Sequence, residues 1–164
     1  MVYSQLERLL LSGSGLFGNI PESIGSLSNL HTLHLEENKF DGAFPNSIKY
    51  LSNLEIFNSS HNQITGTIPS GLFKIVALEK LDLSSNLLTG TVPQFTPYIG
   101  LRQLHLSNNQ LTGNIPESLY QLKAAESVSL MNNQFTGSIS TQIGILRNLE
   151  FVDDLASVTS LPNH

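Results

Sequence analysis

Histidine, asparagine and carboxylate side chains recur along this chain at near-constant spacing. His34, Asn58, Asp82 and His105 follow one another at a step of about 24 residues, and Glu37 and His61 repeat that step. Imidazole titrates near neutrality and hydrogen-bonds through both nitrogens, so a histidine beside a carboxylate can hold a ligand or pass a proton. The spacing offers two such pairs, Asp82 with His105 and Glu37 with His61. Ser84 and Ser107 complete an acid, base and hydroxyl inventory around the first pair. Acyl transfer, however, needs aligned groups in a site that excludes water. Open, repeated positions do not supply one, so no enzyme activity is expected. A metal site is not expected either. Neighbouring strands lie about 4.8 Å apart, which leaves His34 and His105 too far apart to share an ion.

Two further motifs carry potential chemistry. Gly13-Ser14-Gly15-Leu16-Phe17-Gly18 has the glycine spacing of a dinucleotide fingerprint, with Glu36 downstream. That chemistry needs a helix of several turns directly after the glycines, and Pro21 interrupts it, so no cofactor is expected. Asn58-Ser59-Ser60 is the single N-x-S/T acceptor. On a secreted chain, a glycan at Asn58 would obstruct binding nearby.

Composition narrows the classes further. Thirteen acidic against eight basic residues leave a net charge of −5, which argues against a nucleic-acid partner. The absence of cysteine excludes disulfides, thiolate metal ligands and cysteine nucleophiles. No apolar run approaches the ~20 residues of a membrane span, so this segment itself is not expected to contact a membrane. The first residues show neither the basic region nor the cleavage site of a signal peptide.

The elements that position these side chains follow from internal repetition. Aligned on Leu6, Leu30, Leu54, Leu78, Leu101 and Ala125, the chain advances with a period of about 24 residues. Asparagine recurs at Asn38, Asn62, Asn86, Asn109 and Asn133, with Ser14 in the first block. Glycine recurs at Gly18, Gly42, Gly66, Gly90, Gly113 and Gly137; proline recurs at Pro21, Pro45, Pro69, Pro93 and Pro116, with Ser140 in the sixth block. The L-x-L core predicts one short strand per block with two side chains directed inward. Glycine permits the turn that follows, and proline ends the strand and sets the next bend. An inward asparagine can satisfy backbone groups in adjacent bends. The x-x-L-x-x-L segment predicts a 3₁₀ or short helical return on the opposite side. One block's apolar side chains cannot offset the entropy of ordering its backbone, so blocks must stack to be stable.

With its L-x-G-x-I-P extension, as in Leu111-Thr112-Gly113-Asn114-Ile115-Pro116, this block resembles the plant-type leucine-rich repeat. The resemblance covers about residues 6–148 and points to ectodomains of receptor-like kinases and receptor-like proteins, and to polygalacturonase-inhibiting proteins. It implies an α/β solenoid: a right-handed superhelix of about six 24-residue repeats, with a concave parallel β-sheet and a convex side of 3₁₀ or short helices. Residues 1–164 read as a single domain with a degenerate tail over 149–164. The missing cysteine caps lead to the expectation of an internal fragment of a longer protein or a truncated gene model. The chain departs from the pattern at Phe57-Asn58-Ser59, in the short fourth block around Gln94 to Pro97, and at Asp154, where an inward leucine belongs.

On this frame Leu10, His34, Asn58, Asp82, His105, Ser129 and Asp153 fall on the concave side. Gly13, Glu37, His61, Ser85, Asn108 and Asn132 lie beyond them, and His31 joins the same face. His34, Glu37, Asn58, His61, Asp82 and His105 are therefore the candidate ligand-binding residues. The implied function is binding of a protein or peptide ligand in signalling or defence, at the extracellular face of a plasma membrane or after secretion. A secreted inhibitor of a cell-wall-degrading enzyme is the alternative. Thr65, Thr89, Thr112 and Thr136, with Thr67 and Thr91, form a further ladder that could order water at an ice surface.

Overall fold

The computed structural model describes residues 5–146 and the strand Phe151–Asp153. Seven short strands stack in chain order into one parallel sheet: Arg8–Leu10, Thr32–His34, Ile56–Asn58, Lys80–Asp82, Gln103–His105, Ser127–Ser129 and Phe151–Asp153. Each middle residue sits in register with the next, so Leu9, Leu33, Phe57, Leu81, Leu104 and Val128 form one apolar column. The sheet thus continues one strand beyond the regular repeats, although Asp154 lies outside the described residues.

The return side consists of 3₁₀ turns at Glu22–Ser26, Asn46–Tyr50, Leu72–Lys74, Glu117–Gln121 and Thr141–Ile145. The repeated proline opens them. It lacks an N–H, but its carbonyl accepts from the residue three positions on: Ile24 onto Pro21 at 3.0 Å, Leu72 onto Pro69 at 3.0 Å and Leu119 onto Pro116 at 2.9 Å. Ser140 fills the same slot in the sixth block, and its hydroxyl caps Gln142 N–H. The shortened fourth block has no 3₁₀ turn after Pro93. There Phe95 packs edge-on to Phe73 at 4.5 Å, and its N–H donates to Ser118 Oγ at 2.9 Å. Among the described residues no helix is long and apolar enough to cross a membrane.

The asparagine column works as its spacing predicts. Asn86 Oδ1 accepts from Ile64 N–H at 3.0 Å, while Nδ2 donates to the carbonyls of Ser59, Leu83 and Ser84. Asn62, Asn109 and Asn133 repeat this pattern one turn apart. Asn38 of the second block reaches back to the N–H groups of Ser14 and Leu16 in the first. The ladder satisfies turn backbone that the sheet leaves unpaired.

The irregular third block exchanges two leucines for one larger and one smaller side chain. Phe57 replaces a leucine and stacks edge-on against Phe44 at 5.7 Å, while Ser59 replaces the next leucine. Ser59 is 0% exposed and its hydroxyl has no hydrogen-bond partner among the described residues. A buried hydroxyl without a partner costs about 1–3 kcal/mol. Ser59→Ala is therefore expected to stabilise the protein by about 1 kcal/mol. Ser59→Leu is expected to destabilise it by a similar amount, because Phe57 already supplies the missing volume. Urea melts check both signs; a stabilising leucine would show that the phenyl ring leaves the space unfilled.

A second internal test concerns Tyr120, which is 1% exposed and accepts from Ser140 N–H at 3.2 Å. Burial pushes its phenol above the ordinary value; the Ser140 contact opposes this and the charge of Glu117 adds to it. The unfolded chain ionises Tyr120 near pH 10 while the folded chain keeps the proton. Its stabilising effect is thus complete below that pH and is lost as pH rises through the folded value. Tyr120→Phe is expected to flatten the alkaline limb of a melting-temperature profile. An unchanged limb would assign the alkaline transition to other groups.

Candidate functional site

The outer column of the sheet brings together four of the six expected residues. His34, Asn58, Asp82 and His105 are consecutive partners in register, flanked by Leu10 and Ser129. All four border one hollow of about 290 Å³, together with Ile56, Phe57, Lys80, Leu81 and Gln103. The strand alternation explains the composition: residues two apart share the outer face, while the leucines between them point into the core.

Asp82 and His105 meet as expected. His105 Nδ1 lies 3.5 Å from Asp82 Oδ2, with side chains 33% and 30% exposed. Ser84 binds the other oxygen of Asp82 through its N–H at 2.9 Å and its hydroxyl at 2.6 Å. Burial works against the charge on Asp82. The contacts from His105 and Ser84 outweigh it and hold the carboxyl below its usual range. The serine on the far side of the imidazole is neither Ser84 nor Ser107: Nε2 of His105 lies 2.9 Å from Ser127 Oγ, and Ser107 is buried. Ser127 stands one strand along from His105 on the same outer face, a placement that strand alternation alone indicates.

Glu37 and His61 occupy equivalent places in successive turns, yet among the described residues no ion pair joins them. Both lie in a column of left-handed backbone just after the strand, with φ of 58° and 53°. Gly13, Ser85, Asn108 and Asn132 share that conformation. It is set by the bend, since the N–H of Glu37 donates to Ser60 O and that of His61 to Ser84 O. The carboxylate that His34 finds is Glu36, two residues on along the same face, at 3.1 Å. Glu36 Oε1 also accepts from the Ser12 hydroxyl at 2.8 Å, whereas Oε2 is buried without a partner among the described residues. His31 turns aside, with Nδ1 2.8 Å from Asn29 O. Asn58 Oδ1 accepts from Ser60 N–H at 3.0 Å, which fixes the amide of the single sequon within the hollow.

Charge is uneven across the surface. Within residues 5–146, the positions on and around the main-sheet strands carry Glu7, Glu36, Glu37, Glu55, Glu79, Asp82 and Glu126 against three cations, Arg8, Lys80 and Arg102. Arg102 is engaged by Glu126 and Glu79. The return side is near balance, with Lys49, Lys74 and Lys123 against Glu22 and Glu117 among the turns and loops.

A second ladder runs along the flank. Short parallel pairings join Thr89–Gly90, Gln110–Asn114 and Gln134–Thr136, and bridges link Ala43 to Thr65 and Thr67 to Thr89. Its hydroxyls reach down to the preceding turn, Thr89 Oγ1 to Gly66 O at 3.3 Å and Thr112 Oγ1 to Gly90 O at 3.4 Å. The G-x-G-x-x-G segment is absorbed by the repeat: Gly18 is the middle residue of the short strand Phe17–Asn19, and the 3₁₀ turn Glu22–Ser26 follows.

Family patterns described as leucine rich repeat match residues 28–88, and residues 5–27 and 100–122. A search of curated proteins finds no match. Among solved structures, the plant peptide hormone receptor RGFR1, in complex with RGF2, is 37% identical. The TM-score is 0.86, over 89% of this chain and 24% of that one. The BIR3–SERK2 complex from Arabidopsis thaliana contains a chain 32% identical, with a TM-score of 0.69 over 79% of this chain and 69% of its own. A plant ice-binding protein is 29% identical, with a TM-score of 0.82 over 93% of this chain and 49% of its own. The chain therefore spans about a quarter of the length of the hormone receptor it matches. A chain assembled from these turns, and matched in this way, belongs to the leucine-rich-repeat family in its plant receptor-like form.

Proposed function

We propose that this chain is a ligand-recognition segment of a receptor-like ectodomain, displayed outside the cell, and that it binds a peptide or protein on the outer face of its main sheet. The observation that carries this reading is the hollow at the centre of that face, where His34, Asn58, Asp82 and His105 converge around the apolar side chain of Ile56. A few convergent polar groups over apolar surface are the usual composition of a binding site. The similarity to a receptor solved with its peptide hormone supports the choice of ligand class. Catalysis is not part of this reading, since the hollow is open to water. Peptides selected on the immobilised protein from a random displayed library are expected to bind an Asp82→Ala/His105→Ala variant about tenfold more weakly, a loss of ~1.4 kcal/mol. A modest fall in melting temperature is expected, because Asp82 also accepts two hydrogen bonds from Ser84, so binding is compared well below both melts. Equal affinity for both proteins would remove the assignment.

A second reading rests on the flank. The threonine ladder presents hydroxyls at regular spacing with their rotamers held by backbone carbonyls, and one similar structure is an ice-binding protein. If this face orders water, ice grown in the protein's presence becomes faceted, and Thr89→Lys abolishes the effect. Round, unfaceted crystals with the wild-type protein would dismiss this reading.

A further inference from the structure

We infer that the ligand of the main-sheet face is a cationic peptide, one of whose basic side chains seats in the central hollow against Asp82. The inference rests on the peptide-binding reading above and names its chemistry.

Three observations converge. The first is charge polarity. Within residues 5–146 the strands and their flanks carry seven carboxylates against three cations, a net excess of four, with Glu79 and Glu126 sharing Arg102. Adjacent strands are about 4.8 Å apart, within one Debye length of about 8 Å, so carboxylates on neighbouring turns reinforce one another toward an approaching ligand. Fields of this kind steer oppositely charged partners and reject like-charged ones.

The second is the shape and lining of the hollow. Its apolar surface comes from Ile56, two residues before Asn58 on the same outer face, while Phe57 and Leu81 point into the core beneath it, and its wall carries the Asp82 carboxylate. Lysine and arginine have this same division, an aliphatic stem that packs on apolar surface and a charged head that seeks an acceptor. A volume of about 290 Å³ is ample for one such side chain and part of the backbone that carries it.

The third is the hydrogen-bond inventory. Ser84 occupies Asp82 Oδ1 twice, whereas Oδ2 has a single long contact, His105 Nδ1 at 3.5 Å. Oδ2 therefore retains acceptor capacity toward the hollow. Beside it, Asn58 commits its oxygen to Ser60 and keeps its amide hydrogens without a partner among the described residues, free for a peptide carbonyl. Lys80 is the opposing charge. It lies two residues before Asp82 on the same face and belongs to the same hollow. A ligand cation must enter on the His105 side, and Lys80 weakens its binding.

These features give substitutions of opposite sign. Panning a random displayed peptide library on the wild-type protein is expected to enrich lysine and arginine severalfold over the input. Asp82→Asn, which keeps the shape and the Ser84 contacts to oxygen, should remove that enrichment and weaken a selected basic peptide about tenfold. Lys80→Met should tighten the same peptide severalfold. Circular dichroism melts establish that each variant is folded. Selection of neutral or acidic peptides whose binding still falls in the Asp82→Ala/His105→Ala variant would overturn the cationic ligand while leaving the peptide-binding face intact. Selected peptides insensitive to every substitution on the face would overturn both. A Lys80→Met variant that weakens basic peptides as much as Asp82→Asn does would overturn the cationic ligand.

Discussion

Asn86→Ala is expected to destabilise the protein by at least about 3 kcal/mol, more than deletion of an ordinary core methylene group. Asn86 is 6% exposed and joins two successive turns: its oxygen takes Ile64 N–H, and its amide serves Ser59 in that same turn and Leu83 and Ser84 in its own. Alanine leaves the Ile64 N–H with no acceptor in the dry interior. It also withdraws a donor from three carbonyls, at a cost of about 1–3 kcal/mol for each buried group left unpaired. The position lies mid-array, and a stack of repeats is held together through its neighbour interfaces. Asn86→Asp provides the control, since a carboxylate keeps the acceptor and loses the donors. Chemical denaturation should rank wild type above Asn86→Asp and place Asn86→Ala with the less stable variants. A cost below about 1 kcal/mol for alanine would mean that water replaces the ladder.

Gly113→Val should cost about 2–5 kcal/mol through two separable effects. The residue has φ of 77°, a conformation that charges a side-chain-bearing residue about 1–2 kcal/mol. A Cβ placed there would also lie 2.8 Å from Thr91 Cγ2 on the preceding turn, an overlap that costs a further 1–3 kcal/mol or so. Gly15 separates the two effects, for it has φ of 67° but nothing within 4 Å of where a Cβ would stand. Gly15→Ala should therefore show the conformational cost alone, about 1–2 kcal/mol, and Gly113→Ala both costs. Equal losses at the two sites would show that the turns separate easily and that close stacking of the flank is not what selects glycine.

The two halves of the candidate site differ in how readable they are from spacing. Asp82 and His105 can be paired from sequence because each repeat contributes one strand, and equivalent positions of parallel strands must be neighbours. Spacing points to Glu37 rather than Glu36, because the column of Glu37 and His61 has the right period. Period alone does not tell an outer strand position from a turn. The parity rule that places Glu36 beside His34 is present in the pattern. So is a hint of the left-handed column, in which Gly13, Asn108 and Asn132 are the residue types that tolerate positive φ. Glu37, His61 and Ser85 conceal it, since they adopt that backbone only because the bend imposes it. Ser127 escapes a reading by period for another reason: it partners His105 diagonally across strands, at a position offset by two in the repeat.

By itself the sequence determined the repeat, its stacking, and the identity of the residues that satisfy its turns. Leucine, asparagine, glycine and proline each meet a local backbone requirement that recurs every turn, and recurrence makes such requirements visible. Only the tertiary structure decided which side chains of adjacent turns meet. It set the imidazole of His105 between Asp82 and Ser127 of the flanking strands and left one oxygen of Asp82 facing a hollow. Those outcomes depend on ångström-scale differences in rotamer and register between neighbouring strands, and no spacing along one chain encodes distances of that kind. The acid–histidine pair first suggested by a single repeat step is therefore real, but its partners and free lone pair were set by the stacking of the turns around it.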